Sequence, residues 1–167
     1  MKVSRQTGSR RVGMRKSLSV VTGLLLTTAI FVAIAFLGAQ EVIEPFYVGA
    51  RVCGGCHNGP EMGHQYSLWL LSRHARAYVD LSKPEAWKIA ELSGVRENPQ
   101  ESPLCLGCHA TAADTEAWER DSTFFFEDGV QCERCHGPGG EYMPAEIMQN
   151  PEEAMRRGLV KPTKKHC

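Results

Sequence analysis

Six of the seven cysteines in this chain form three pairs, and two residues separate the cysteines of each pair. The pairs are Cys53 and Cys56, Cys105 and Cys108, and Cys132 and Cys135, followed directly by His57, His109 and His136. Two thiols at this spacing can add across the two vinyl groups at one edge of a haem, and the adjacent histidine can then ligate the iron. The pattern therefore predicts three covalently attached haems of the c type.

Other uses of paired cysteines explain this pattern less well. A zinc ribbon does not need a histidine directly after each second cysteine. A thioredoxin-like enzyme needs only one pair, beside a βαβ pattern that the chain lacks. Disulfides suit an exported protein, but three adjacent histidines would then be a coincidence, because about 0.01 such pentapeptides are expected by chance. Haem attachment is therefore the favoured interpretation.

The seventh cysteine, Cys167, is the last residue of the sequence. One interpretation is that the chain is cut after the first cysteine of a fourth motif, which would make Cys167 a further haem attachment residue. The other is a free thiol at a frayed terminus. We therefore expect three haems c, and a fourth if the sequence continues.

Each motif histidine fills one of the two axial positions of its iron, so the remaining histidines bear on function. His74 shares a helical stripe with Trp69, Leu70 and Leu71, which predicts an inward-facing axial ligand, the alternative being a core histidine bonded to backbone. His64 is a weaker candidate ligand, against a solvated histidine near a helix start. Ten residues separate the two, about 280° around a helix, so they would serve different haems.

Residues 1–39 are typical of a targeting sequence. Six basic residues precede residue 17, and residues 17–40 carry no charge. This order predicts a cleaved signal peptide or a retained membrane anchor, and both place the remainder in the periplasm or at the extracytoplasmic face of the membrane. A buried core helix is the weaker alternative, because no polar face interrupts the run.

The charge of residues 40–167 limits the classes of partner. This stretch has 13 basic and 19 acidic residues, a formal charge of −6. Nucleic acid is therefore not expected as a partner, since phosphate binding needs a basic surface. Redox proteins with basic patches, a donor and an acceptor, are the expected partners.

Helical signals surround the motifs, and strand signals are nearly absent. One helix is predicted over residues 61–79, a second over 82–93 behind a capping-box pattern, a short one near 114–120 and a last one from Asn150. About 43 residues per haem are too few to wrap each cofactor separately, so the haems must lie close together and supply much of the core. We therefore expect a mainly α fold with extensive loops and little or no β-sheet: one compact multihaem cytochrome c domain over residues 40–167.

Three segments resemble a known family, the multihaem cytochromes related to the tetrahaem cytochrome c-554 family. They are Ser72-Arg-His74-Ala-Arg-Ala77 after Trp69, similar to S-x-H-A-x-A; Cys105-Leu-Gly-Cys108-His109-Ala110; and residues 129–139, G-V-Q-C-E-R-C-H-G-P-G. The resemblance covers about residues 52–142. It implies a mainly helical fold with closely stacked haems, periplasmic electron transfer, and often a role in nitrogen-compound oxidation chains. It also implies that His74 is an axial ligand.

The sequence departs from this family at two points. Family members carry a distal histidine a few residues after G-P-G, whereas Gly140, Glu141 and Tyr142 follow here. One haem is therefore expected to be five-coordinate, unless Tyr142 or Met143 approaches its iron. The family also has a fourth C-x-x-C-H towards the C-terminus, which favours the interpretation that the chain is cut at Cys167.

Electron transfer between a donor redox enzyme and a membrane or soluble acceptor is the favoured function, because several haems in one small domain form a conducting chain. One alternative is a haem enzyme acting on a small nitrogen or oxygen species at a five-coordinate haem. Another is a subunit of a larger multihaem assembly, in which a neighbouring chain completes a haem site. Glu127, Asp128 and Glu133, near the third motif, are interpreted as solvated or turn residues and not as acid–base catalysts.

Overall fold

A computed structural model describes residues 24–28, 30–31 and 44–164 of the chain, which divides into two units, Met1–Val42 and Ile43–Cys167. In the first unit, residues 24–28 and 30–31 are helical. Among the described residues, no helix has the length and apolar character needed to cross a membrane. The rest of the predicted leader, including its basic head and the region around Ala39, lies outside the described residues.

The second unit consists of short helices joined by loops. The α-helices are α1 (Ala50–Gly54), α2 (Gln65–Leu70), α3 (Ala77–Asp80), α4 (Pro84–Leu92), α5 (Pro103–His109), α6 (Glu133–His136), α7 (Ala145–Met148) and α8 (Pro151–Arg156). Three 3-10 helices cover Pro60–Met62, Ala117–Glu119 and Phe126–Asp128. Across residues 44–164 there is no strand, and the one isolated β-bridge pairs Tyr47 with Arg120. The prediction of a mainly α fold with extensive loops is confirmed.

Local signals explain where α4 and α8 begin. Proline occupies the first turn of both helices, where its missing N–H leaves no helical hydrogen bond unmade. The Asn150 side chain accepts a hydrogen bond from the Glu153 N–H at 3.2 Å, so α8 is capped as its sequence predicts. The capping box predicted for α4 is absent, since its N-cap is Lys83 and makes no side-chain cap bond.

The single helix predicted over residues 61–79 is wrong, because α2 and α3 are separate helices with turns between them. A tertiary hydrogen bond forms in this region: the Val130 N–H donates to the His74 carbonyl oxygen at 3.0 Å. A Cβ at Gly129, whose φ is +71°, would lie 2.5 Å from the same oxygen, so only glycine allows this approach. Leu71 is 80% exposed and the side chain of His74 is exposed, so neither packs into the interior of the polypeptide itself.

The first turn of α1 and the segment before it pack against residues 120–131. Arg51 donates to both carboxylate oxygens of Asp128, at 2.8 and 2.9 Å, and its guanidinium lies 4.3 Å from the centre of the Phe125 ring. The Thr123 hydroxyl donates to the Val48 carbonyl at 2.7 Å. Phe124, the first of three consecutive phenylalanines, is buried and contributes to the core. These contacts place the first motif beside the chain that leads into the third.

The apolar residues that are buried are mostly small. Four of the nine in the second unit are larger than alanine: Val48, Leu81, Phe124 and Tyr142. Large apolar side chains such as Leu92 and Leu104 are exposed at 76% and 68%. The polypeptide by itself therefore buries little apolar area, and the hydrophobic contribution to its stability is small.

Candidate haem-binding sites

The three C-x-x-C-H motifs share one local conformation. The His57 N–H donates to the Cys53 carbonyl at 2.9 Å, and the His136 N–H donates to the Cys132 carbonyl at 3.0 Å. The second motif lies at the end of α5, so Cys105 and His109 also stand one helical turn apart. Residues four apart lie on the same face of a helix. Each motif therefore presents its first cysteine and its histidine on one side.

Backbone carbonyls orient two of the motif imidazoles. The Nδ1 atom of His109 lies 2.7 Å from the Ala77 carbonyl oxygen, and that of His136 lies 3.1 Å from the Val160 carbonyl oxygen. A carbonyl oxygen only accepts, so Nδ1 carries the proton and Nε2 keeps its lone pair. Histidines that ligate metals are held in this way, with one nitrogen bonded to the protein and the other facing the metal. Both rings therefore fit the role of an axial iron ligand.

An apolar groove of about 700 Å³ borders the second motif. Its lining includes the aliphatic side chains of Leu81, Ile89, Val95 and Leu104, together with Cys105, Cys108 and His109. Cavities that hold cofactors are mostly apolar, have volumes of about 300–1,000 Å³, and contain a few directed polar groups. The groove therefore combines the size, the apolar wall and the donor set that a haem attached at this motif requires.

The first and third motifs meet through their first cysteines. The Cys53 thiol donates to the Gly49 carbonyl at 3.6 Å and lies beside the thiol of Cys132, and both cysteines are partly buried. Contact with Cys132 and burial raise the pKa of the Cys53 thiol, whereas contact with Cys53 lowers the pKa of Cys132. The first cysteines of these two motifs, which would attach two different haems, are therefore adjacent in the fold although they lie far apart in the sequence.

Glu133, between the cysteines of the third motif, is the residue that sequence reasoning missed. It was expected to be a solvated or turn residue, but it is 2% exposed and both its oxygens accept backbone N–H bonds. Burial raises its pKa, while bonds from the backbone N–H groups of Val48, Gly139 and Gly49 lower it. In the sequence, Glu133 lies inside a cysteine motif and next to Arg134, and neither neighbour indicates a buried carboxylate.

The two additional candidate ligands lie on exposed turns. The carbonyl of His74 binds the Val130 N–H, and Ala77, three residues later, holds the His109 ring. The segment with His74 therefore lies between the second motif and the approach to the third. His64 has a left-handed backbone, φ +56°, and its Nδ1 lies 3.1 Å from the Asn58 carbonyl oxygen, which leaves Nε2 as an acceptor. Both remain predicted ligands, and Cys167 lies outside the described residues.

The hydroxyl of Tyr142, a residue that follows G-P-G, is bonded to the backbone at the end of the third motif. Its hydroxyl donates to the Gly137 carbonyl at 2.8 Å and lies 3.3 Å from the His136 carbonyl oxygen. The residue is buried, and burial raises the pKa of its phenol, so the ring stays neutral. Tyr142 therefore stabilises the end of the third motif through hydrogen bonds to its backbone carbonyls.

Replacing Gly54 with alanine should destabilise the first motif. A Cβ at this position would lie 2.8–2.9 Å from atoms of the Tyr66 ring, which stacks on Trp69 with centroids 5.5 Å apart. Trp69 is held in turn by a 2.8 Å hydrogen bond from its Nε1 to the Val130 carbonyl. We expect Gly54→Ala to lower the free energy of unfolding by about 1–3 kcal/mol, measured by denaturant titration of the haem-loaded protein.

Gly107→Ala is the matched control for this substitution. Gly107 also lies between two motif cysteines, but a Cβ there meets no atom within 4 Å. Because alanine favours a helix over glycine, Gly107→Ala should leave stability unchanged or raise it by up to about 1 kcal/mol. Equal losses of stability in the two variants would contradict the explanation by close contact with Tyr66.

Comparison with known proteins agrees with this geometry. The model of the family described as cytochrome c554 and c-prime matches residues 52–137, a span that contains all three motifs. Cytochrome c-554 from Nitrosomonas europaea is 28% identical over 109 residues, which cover 63% of this chain and 44% of that protein. The chain thus spans less than half the length of this curated relative. No solved structure matches the chain. Because the family model covers more than half of the sequence, the chain belongs to the cytochrome c554 and c-prime family and is a c-type cytochrome, with haem c as its cofactor.

Proposed function

We propose that the protein is a periplasmic electron carrier, with haems attached at all three motifs, that accepts electrons from a donor redox enzyme and passes them to a membrane or soluble acceptor. The observation that carries this proposal is the set of hydrogen bonds that holds the start of the first motif's helix against the third motif. They run from the N–H groups of Val48, Gly49 and Ala50 to the side chains of Glu133 and Gln131. Electron tunnelling falls steeply with distance, so haems attached at these two neighbouring motifs would exchange electrons quickly.

Each motif residue has a defined part in this proposal. The six paired cysteines would form the thioethers, and His57, His109 and His136 would each ligate the iron of the haem attached at their own motif. When bound, the haem supplies an iron that alternates between the ferric and ferrous states. The backbone carbonyls of Ala77 and Val160 hold two of the imidazoles in a fixed orientation, which limits rearrangement as the iron changes its charge. His74 and His64 are the proposed sixth ligands, and Cys167 would attach a further haem if the sequence continues.

The leader supports the proposed location. We assign residues 1–39 to a signal peptide or a membrane anchor and residues 40–167 to the multihaem domain, on the basic head and the uncharged run of residues 17–40. Either form of the leader delivers the domain to the compartment where the proposed donor and acceptor act. Retention of the leader would hold the carrier at the membrane, as part of a larger multihaem complex or alone.

The haem content and the spin state of the purified protein test this proposal. We expect three haems c per chain in the pyridine haemochrome assay, or four if a longer chain carries a further motif. We also expect reversible reduction and reoxidation by small redox mediators. Fewer than three haems per chain would refute attachment at all three motifs, and irons that do not cycle would refute the carrier function.

A second candidate, an enzyme, rests on the third motif. The position of the family's distal histidine is taken by Gly140, Glu141 and Tyr142, and the Tyr142 hydroxyl is engaged with backbone carbonyls. An iron without a sixth protein ligand can bind a small nitrogen or oxygen species. A high-spin fraction near one haem that binds nitric oxide or cyanide would favour this candidate, or a site completed by a neighbouring chain. Uniformly low-spin, unresponsive haems would exclude both.

Electron transfer to a basic redox protein should slow as salt is added. Residues 40–167 carry a formal charge of −6, so a basic partner is attracted over long range. Raising ionic strength from about 0.01 M to about 0.15 M shortens the Debye length from about 30 Å to about 8 Å. We expect the bimolecular rate constant, measured by stopped flow, to fall on the order of tenfold.

An acidic redox protein of similar size and potential is the control partner. Its rate should stay constant or rise with salt, because screening relieves repulsion between like charges. The same decrease for both partners would contradict electrostatic attraction by the acidic domain.

A further inference from the structure

Glu133 joins three segments of the chain through its carboxylate. Its Oε1 atom accepts hydrogen bonds from the Val48 N–H at 2.9 Å and from the Gly139 N–H at 2.6 Å. Its Oε2 atom accepts from the Gly49 N–H at 2.8 Å. Val48 lies 85 residues from Glu133 in the sequence. The carboxylate is therefore a tertiary junction inside the third motif, in a position that is 2% exposed.

A carboxylate in such a place must be held by hydrogen bonds. Burial of a charge without partners is very unfavourable, whereas bonds from backbone N–H groups to a carboxylate are short and strong. The close fit extends to the surrounding backbone, because a Cβ at Gly139 would lie 3.0 Å from Oε1 of Glu133. The neutral amide of a glutamine could not accept all three hydrogen bonds, because its NH₂ group is a donor and would face the Gly49 N–H, which is also a donor.

The segment that Glu133 binds leads directly into the first motif. Val48 and Gly49 immediately precede α1, which carries Cys53. Their N–H groups lie at the N-terminal end of this helix. Gln131, two residues before Glu133, adds a 2.7 Å bond from the Ala50 N–H to its side-chain oxygen. The start of the helix of the first motif is thus capped by side chains of the third motif segment. The caps come from a distant part of the sequence because Gly49, the N-cap residue, has no side chain of its own.

We propose that Glu133 is a positioning residue that fixes the helix of the first haem site against the third and, by its negative charge, lowers the reduction potential of the haem attached at Cys132 and Cys135. This inference rests on the proposed haem attachment at both motifs. A fixed carboxylate favours the ferric iron, which carries one more positive charge than the ferrous iron. The same carboxylate holds the start of α1, which carries Cys53, against the third motif.

Glu133→Gln in the haem-loaded protein tests the effect of the charge. Glu146→Gln is the matched control, because it makes the same chemical change at an exposed residue of α7. We expect both variants to keep the full haem count. In spectroelectrochemical titration, one midpoint potential should move upward in Glu133→Gln alone, and the magnetic interaction between ferric haems in the EPR spectrum should change. Potentials and EPR spectra identical to those of the unchanged protein would overturn the proposal.

Glu133→Asp tests positioning separately from charge. Aspartate keeps the negative charge but is one methylene shorter, so it cannot reach both Gly139 and the segment before α1. We expect a full haem count, potentials closer to those of the unchanged protein than in Glu133→Gln, and an altered EPR interaction. An unaltered interaction would overturn the positioning role. Loss of covalent haem from both Glu133 variants, with Glu146→Gln fully loaded, would assign Glu133 to folding alone and also overturn it.

The outcome for Glu133 can be separated from the outcome for the carrier function. The haem count and reversible reduction of the unchanged protein test the carrier function by themselves. The role of Glu133 depends only on differences between each variant and the unchanged protein. A carrier with normal haem content and unaffected Glu133 variants would therefore reject this inference and leave the proposed function standing.

Discussion

Cys132→Ser with Cys135→Ser should remove one haem per chain or prevent folding. Serine cannot form a thioether with a haem vinyl group, and His136 alone would hold a haem only reversibly. The consequence extends to the first motif, because Glu133 of the third motif accepts hydrogen bonds from the N–H groups of Val48 and Gly49, just before α1. We therefore expect two haems in the pyridine haemochrome assay, together with lower stability than loss of a cofactor at an isolated site would cause.

Cys167→Ser is the control for this double substitution. In a protein made of these 167 residues, Cys167 has no partner cysteine and no following histidine, so its loss should leave the haem count of that protein at three. Mass spectrometry of the denatured chain checks the count independently, because covalent haem stays attached. A full complement of three haems in the Cys132 and Cys135 double variant would refute attachment at the third motif.

His74→Ala should convert one haem from low spin to high spin while the covalent haem count stays unchanged. The substitution removes the proposed sixth ligand and leaves the thioethers intact. Because the His74 side chain is exposed and its backbone carbonyl forms the bond to Val130, alanine preserves the local fold. The change is measured in the absorption and EPR spectra of the oxidised protein.

Arg73→Ala provides the comparison at the neighbouring exposed position. It changes the same turn without removing an imidazole, so it should leave the spin state unaltered. An unchanged spin state in His74→Ala would remove this residue from the ligand set. A high-spin signal in both variants would indicate disturbance of the turn and not loss of a ligand.

The predictions that hold for this protein depend on chemistry between residues close in sequence. The C-x-x-C-H motifs define attachment within five residues, and the family match over residues 52–137 agrees with the haem c that they imply. The positions where α4 and α8 begin follow from proline in the first turn of each helix and, for α8, from the Asn150 cap. The absence of strand signals correctly indicates a mainly α fold. In each case the deciding forces act within one or two turns of chain.

The long helix predicted over residues 61–79 fails because a distant partner competes with helical hydrogen bonds. The carbonyl of His74 binds the Val130 N–H, and Gly129 allows the two backbones to approach. Helix propensity is a weak preference that tertiary contacts override. The spacing of Leu70, Leu71 and His74 is therefore typical of a longer helix, but the helix in this segment ends at Leu70.

The sequence by itself determined which residues can attach haem, because thioether chemistry and the adjacent imidazole need only local spacing. Tertiary structure alone decided how the attachment sites are arranged. Glu133 looks like a solvated acid in sequence, and only folding brings the N–H groups of Val48 and Gly49 to its carboxylate. The physical reason is that a buried charge is stable only where several donors converge, and here they come from residues up to 85 positions away.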